Sequence, residues 1–184
     1  MRNFRWLRFL APLLFTVVEG FLSPSLISSY AQTMSYSIGP SGLPLPRFAS
    51  IKPNRVNVRV GPSSQYAVIF IYRKKGLPVE IIQEYDQWRK IRDAEGDEGW
   101  VYKSLLSGKR TVLTIPWRKN TAQNLVLRKS PDNNARPVAK IGPNIIGNIR
   151  KCNGQWCELD IHNIRGWLHQ TQLWGIYPDE KIKN

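Results

Sequence analysis

Hydrophobic positions along this chain fall in short runs, and in most of them apolar and polar residues alternate. In Arg55–Val60, Val56, Val58 and Val60 share one phase while Asn57 and Arg59 share the other. Alternation with period two predicts a half-buried strand. Gly61-Pro62-Ser63-Ser64 predicts the turn that ends it, with Gly61 supplying freedom in φ. Further strands are expected at Ala67–Tyr72, Pro78–Tyr85, Trp88–Arg92 and Gly99–Tyr102, with turns at Arg73–Gly76, Asp86-Gln87 and Glu95–Asp97. Ser104–Leu106 is too short for an ordinary helix and suits a single 3₁₀ turn. Lys109–Ile115 is expected to close this unit as its last strand.

The same order of elements then recurs. Gly99-Trp-Val-Tyr102 is answered by Gly166-Trp-Leu-His169, and Trp88 by Trp156. Strands are expected at Asn124–Arg128, Pro137–Ile141, Ile145–Lys151, Trp156–Ile161 and Gly166–Leu168, with Asn153-Gly154 as a tight hairpin turn. A fixed-period repeat means one small unit written twice. Five or six short strands in about 60 residues favour a barrel, whose closure removes exposed edges. The fold class expected is all-β, two tandem small barrels.

The flanks add organisation. Residues 1–31 carry Arg2, Arg5 and Arg8, then an apolar stretch Phe9–Val18, then Ser29-Tyr30-Ala31. These are the parts of a secretory signal peptide with cleavage after Ala31. Glu19 and Pro24 interrupt the stretch, so no stable transmembrane anchor is expected after cleavage. Residues 32–46 are rich in Ser, Gly and Pro and read as a flexible linker. The first barrel is expected at 47–115, a connector at 116–121, the second barrel at 122–177 and a C-terminal tail at 178–184.

The net charge is +14, and removal of the first 31 residues, with three arginines against one glutamate, leaves +12. That implies an anionic partner or setting, not a particular fold. Nucleic acid, anionic lipid and carboxylate-bearing envelope polymers all qualify by charge, but export argues against nucleic acid.

Arg55-Val-Asn-Val-Arg-Val-Gly-Pro62, Gly76-Leu-Pro-Val-Glu80, Trp88-Arg-Lys-Ile91 and Glu98-Gly-Trp-Val101 resemble, in order and spacing, the pattern of bacterial SH3-like domains. The resemblance covers roughly residues 47–177. The second copy departs at Leu125-Val-Leu-Arg-Lys-Ser-Pro131, which keeps Arg128 but lacks the Asn and the Gly-Pro. The whole chain is similar to secreted tandem-domain proteins of Gram-negative bacteria. Such a resemblance implies adhesion or targeting modules, often for cell-wall peptides or glycans.

Candidate ligand-binding residues are Asn57, Arg59, Tyr66, Tyr72, Trp100 and Tyr102. Asn57 offers hydrogen bonds, and Arg59 a planar fork for a carboxylate. The competing reading has Asn57 bracing the turn and Arg59 paired with an acid such as Glu98. Aromatic faces serve both sugars and extended peptides. Trp88 and Trp156 are expected in the cores, where a Trp dominates so small an interior; Trp100 and Trp167 are expected partly exposed.

Cys152 and Cys157 flank the Asn153-Gly154 turn, and in an exported protein they are expected to form a disulfide. A zinc site with His162 and His169 would need a spacing that matches no common structural pattern. A thiol nucleophile at Cys157 lacks the helix N-terminus or cationic site that would activate it. No cofactor, metal or catalytic set is expected. The function expected is an exported, periplasmic or secreted, non-enzymatic binding module for an anionic envelope polymer such as peptidoglycan or its peptide stems. A secreted effector that binds a protein partner is the alternative, and a cysteine-type wall hydrolase a third.

Overall fold

The computed structural model describes residues 36–114 and 125–183, which belong to one compact unit. Its strands are β1 (Ser37–Ile38), β2 (Pro44–Leu45), β3 (Arg47–Ile51), β4 (Val56–Arg59), β5 (Val68–Tyr72), β6 (Pro78–Tyr85), β7 (Trp88–Arg92), β8 (Glu98–Tyr102) and β9 (Leu106–Ser107). There follow β10 (Thr111–Thr114), β11 (Leu125–Arg128), β12 (Pro137–Ile141), β13 (Ile146–Asn153), β14 (Trp156–Ile161), β15 (Ile164–His169), β16 (Leu173–Trp174) and β17 (Lys181–Ile182). Single 3₁₀ turns stand at Lys103–Leu105 and Gln170–Gln172. Among the described residues no helix is long and apolar enough to cross a membrane. The signal peptide expected at 1–31, residues 32–35 of the expected linker and the connector expected at 116–121 lie outside the described residues.

Two antiparallel sheets carry the repeat. The first runs β5-β4-β8-β7-β6-β3-β9 and the second β12-β11-β15-β14-β13-β10-β16. Each position of one order has its counterpart in the other. The long strand of each copy shifts register, at Ile81/Gln83 in β6 and at Ile149/Lys151 in β13. A bulge bends a strand and sharpens its twist, which lets one strand serve both halves of a small barrel. Val56, Val58, Val79, Ile81, Ile91 and Val101 fill the first core. Leu127, Leu159, Ile161, Leu168 and Val112 fill the second.

Four expectations need correction. The strand at Lys109–Ile115 does not close the first barrel. Its strand among the described residues, β10, pairs with β13 and β16 and so opens the second sheet, as β3 opens the first by pairing with β6 and β9. Val60 does not share the face of Val56 and Val58; the register shifts between Val58 and Arg59, and Val60 is 54% exposed. The part of the linker from Tyr36 to Pro46 is built into the fold. Strands β1 and β2 form a hairpin, Leu45 enters the first core, and Ser41 bonds Glu84 through its amide and hydroxyl, both at 2.8 Å. Residues 178–183 are not a simple tail, since β17 returns to pair with β13 beside Cys152.

Aromatic packing and a few buried polar bonds join the barrels. Phe48 lies edge-on to Trp174, centroids 5.1 Å apart, and tilted on Tyr177 at 4.7 Å. The Tyr177 hydroxyl donates to Glu80 Oε1 at 2.9 Å, while Arg92 donates to Glu80 Oε2 at 2.6 Å. Burial, then the Glu80 charge, pushes the Tyr177 phenol well above its ordinary value. Thr111 Oγ1 donates to Gly76 O at 2.7 Å. Gly175 sits at φ +107°, where a Cβ would strike the Thr111 carbonyl and approach Pro78.

A cleft on the first barrel

The alternation that buries Val56 and Val58 turns Arg55, Asn57 and Arg59 outward on β4. The β7–β8 ladder places Trp88 opposite Tyr102, and their rings meet edge-on, centroids 5.5 Å apart. These residues, with Leu105 from the 3₁₀ turn, line a cleft of about 350 Å³. Tyr102 is 40% exposed and Trp88 is half-buried. Among the described residues no acidic side chain lines the cleft. Such a site offers an aromatic wall, an amide and two guanidinium groups, which suits a ligand with a carboxylate and some apolar surface.

Of the six residues picked from the sequence, three line this cleft: Asn57, Arg59 and Tyr102. Tyr66 is outside it. Its ring packs where a Gly61 Cβ would stand, about 2.6 Å from that point. Gly61 is therefore required by close approach and not by its φ, which is not in the positive region. Tyr72 and Trp100 are buried instead, each 9% exposed. The Tyr72 hydroxyl donates to Asp93 Oδ2 at 2.9 Å, and burial, reinforced by that acid, pushes the phenol well above its usual value. Trp88 and Trp100 thus exchange the places expected of them: the first faces the cleft and the second is inside.

Arg59 does not pair with Glu98, whose partner is Lys90 at 2.6 Å. It donates from Nη1 to the Tyr66 carbonyl at 2.6 Å. Arg128 repeats the bond in the second barrel, to Ala135 O at 2.9 Å. The recurrence marks a brace for the loop between β4 and β5 and between β11 and β12, while Arg59 also lines the cleft. Arg55 has no bonded partner among the described residues, and sequence reasoning passed over it. Its phase in the β4 alternation was the available signal.

The second barrel fills the matching positions differently. Val126 stands for Asn57, Trp156 for Trp88 and His169 for Tyr102, by register. Trp156 is buried as expected and meets His169 edge-on at 5.3 Å. The imidazole Nδ1 turns to its own chain, accepting from the Thr171 amide and lying 2.8 Å from its hydroxyl.

Cys152 and Cys157 are cross-strand partners with Cα atoms 4.1 Å apart and are joined as the expected disulfide. Cys157 is fully buried and bonded, so its sulfur is not a free nucleophile in this state.

Beneath the hairpin of β1 and β2 lies a buried charge cluster. Glu84 accepts from Arg47 at 2.5 Å and from Ser41, and forms an ion pair with Arg89 at 3.0 Å. Burial alone would raise its carboxyl pKa. The hydrogen bonds from Arg47 and Ser41 outweigh burial and lower it from 4.5 to about 2.

No curated protein matches this chain. Among solved structures, NlpC2 from Trichomonas vaginalis is similar at a TM-score of 0.32 and 11% identity, over 70% of this chain and 48% of that one. NlpC1 from the same organism gives 0.32 and 12%, over 77% and 49%. An NlpC/P60 family protein from Bacillus cereus gives 0.31 and 12%, over 73% and 58%. The chain spans about half the length of these structures, and likeness of that degree does not bear on its activity. The family model for the bacterial SH3 domain matches twice, over residues 52–108 and 121–175. With two sheets of the same strand order and two matched segments, this chain belongs to the bacterial SH3 domain family.

Proposed function

We propose that the protein is an exported binding module that takes a carboxylate-bearing envelope polymer, peptidoglycan or its peptide stems, into the cleft of the first barrel. The carrying observation is the cleft's chemistry: Trp88 and Tyr102 beside Arg55, Asn57 and Arg59, with no acid among the lining residues. The aromatic pair offers a face for a sugar or a stem methyl group, and the guanidinium groups offer forks for a carboxylate. The high net charge adds long-range attraction to an anionic wall, which salt weakens. The disulfide favours an oxidising compartment, periplasmic or extracellular.

The test is co-sedimentation of the mature protein with purified sacculi at low salt. The reading requires binding that falls with added salt and falls further in Tyr102→Ala and Arg55→Ala. Protein that stays wholly in the supernatant refutes it.

A further inference from the structure

We propose that the second barrel carries a separate anion site, selective for phosphate groups, in the groove between the β11–β12 loop and the outer face of β14 and β15. Lys129, Arg136 and Arg165 line it with Val138, Gly166 and a single acid, Glu158, around about 450 Å³.

The strand registers make this groove comparable, residue by residue, with the first barrel. Lys129 N donates to Arg136 O at 3.0 Å, as Val60 N donates to Ala67 O at 3.1 Å. Glu158 faces Trp167 across the ladder as Lys90 faces Trp100, and Arg165 faces Asp160 as Glu98 faces Arg92. Lys129 and Arg136 therefore stand where the first barrel has Val60 and Ala67, and Arg165 stands where it has Glu98. In the first barrel this surface is apolar, with exposed Val60, Val68 and Ile69, and its ion pair is closed, Lys90 on Glu98 at 2.6 Å. The duplicated fold does not require cations at these three positions, since the first copy has Val60, Ala67 and Glu98 there.

In the second barrel two of the three cations are left open. Lys129 and Arg136 have no acidic partner among the described residues. Arg165 has a long ion pair with Asp160, 3.8 Å. Glu158 is drawn away to Lys151 at 3.6 Å, and that ammonium also lies 5.3 Å over the Trp167 ring. Three cations line the groove, and Asp160 pairs with one of them while Glu158 is shared with Lys151, so the groove keeps a positive excess. A phosphate monoester, with a charge of roughly −1.5 to −2 at neutral pH and three acceptor oxygens, matches them better. The same chemistry is offered by soluble phosphate compounds and by lipid headgroups.

The experiment titrates inorganic phosphate into the isotopically labelled mature protein at low salt and follows amide shifts. The site requires saturable shifts centred on Lys129, Arg136, Arg165 and Gly166. The Lys129→Ala/Arg136→Ala double variant should weaken binding by about tenfold or more. Lys52→Ala/Lys75→Ala, which removes equal charge from the first barrel, should leave it unchanged. Shifts that never saturate, that spread over all basic residues, or that weaken equally in both variants overturn the proposal. Co-sedimentation with phosphatidic acid vesicles, whose headgroup is a phosphate monoester, lost in the groove variant, assigns the phosphate to a lipid; saturable phosphate binding without it assigns a soluble compound. Neither arm depends on the first-barrel cleft, so it can fail while sacculus binding stands.

Discussion

Replacing Glu84 by Gln removes one negative charge from a buried cluster while keeping its shape. The side chain is 1% exposed, with Arg47 and Arg89 on the same oxygen. Its carboxyl pKa is about 2 in the folded protein against 4.5 as the ordinary value. A difference of that size corresponds to about 3 kcal/mol, because each unit is worth about 1.4 kcal/mol. The folded-state value is depressed, so this stability is fully present above about pH 4.5 and is lost as pH falls toward 2. The variant also strands Arg89 in the interior, which adds to the loss at neutral pH. Urea unfolding followed by tryptophan fluorescence should therefore place Glu84→Gln about 3 kcal/mol or more below the parent at pH 7. The gap should narrow to below about 1 kcal/mol at pH 2.5, where the carboxyl is protonated in the unfolded chain and most of the linkage has been lost. Other acids titrate in the same range, but both proteins share them. A gap under about 0.5 kcal/mol at pH 7, or one unchanged between pH 7 and 2.5, refutes the reasoning.

Other expectations follow from single contacts. Tyr177→Phe leaves Glu80 Oε1 without its donor and should cost about 1–3 kcal/mol, with faster hydrogen exchange at the amides that face Tyr177 across the barrel interface. Gly175→Ala combines a positive φ with a clash on the Thr111 carbonyl, and should lower the melting temperature more than Gly108→Ala, whose Cβ meets nothing. Breaking the disulfide by Cys152→Ala/Cys157→Ala closes a small loop's loss at about 2 kcal/mol, read as a shift in urea midpoint, and the barrel should still fold.

The alternation and the turns made the strands legible, and the doubled Gly-Trp motif made the tandem barrels legible. Partnership was harder to read. Lys109–Ile115 has a strand's composition wherever it pairs, and only the ladder assigns β10 to the second barrel. A bulge between Val58 and Arg59 inverts the phase of Val60, and bulges leave no mark in period-two spacing. Trp88 and Trp100 are both tryptophans repeated in the second copy, so which one faces the cleft depends on what covers it. The cysteines were legible because they bracket one hairpin. Glu84 was not, since its partner Ser41 comes from a segment that reads as linker and Arg47 from the residue next to it. Tyr177 and Glu80 meet across 97 residues, beyond any local pattern.

The central claim, that the first-barrel cleft holds a carboxylate-bearing wall ligand, is met most directly by titrating soluble peptidoglycan peptide stems into the labelled mature protein. The account predicts saturable amide shifts gathered at Arg55, Asn57, Arg59, Trp88 and Tyr102, abolished by Tyr102→Ala and by amidating the stem carboxylates. Shifts gathered elsewhere, or stems that bind equally well after amidation, would contradict it.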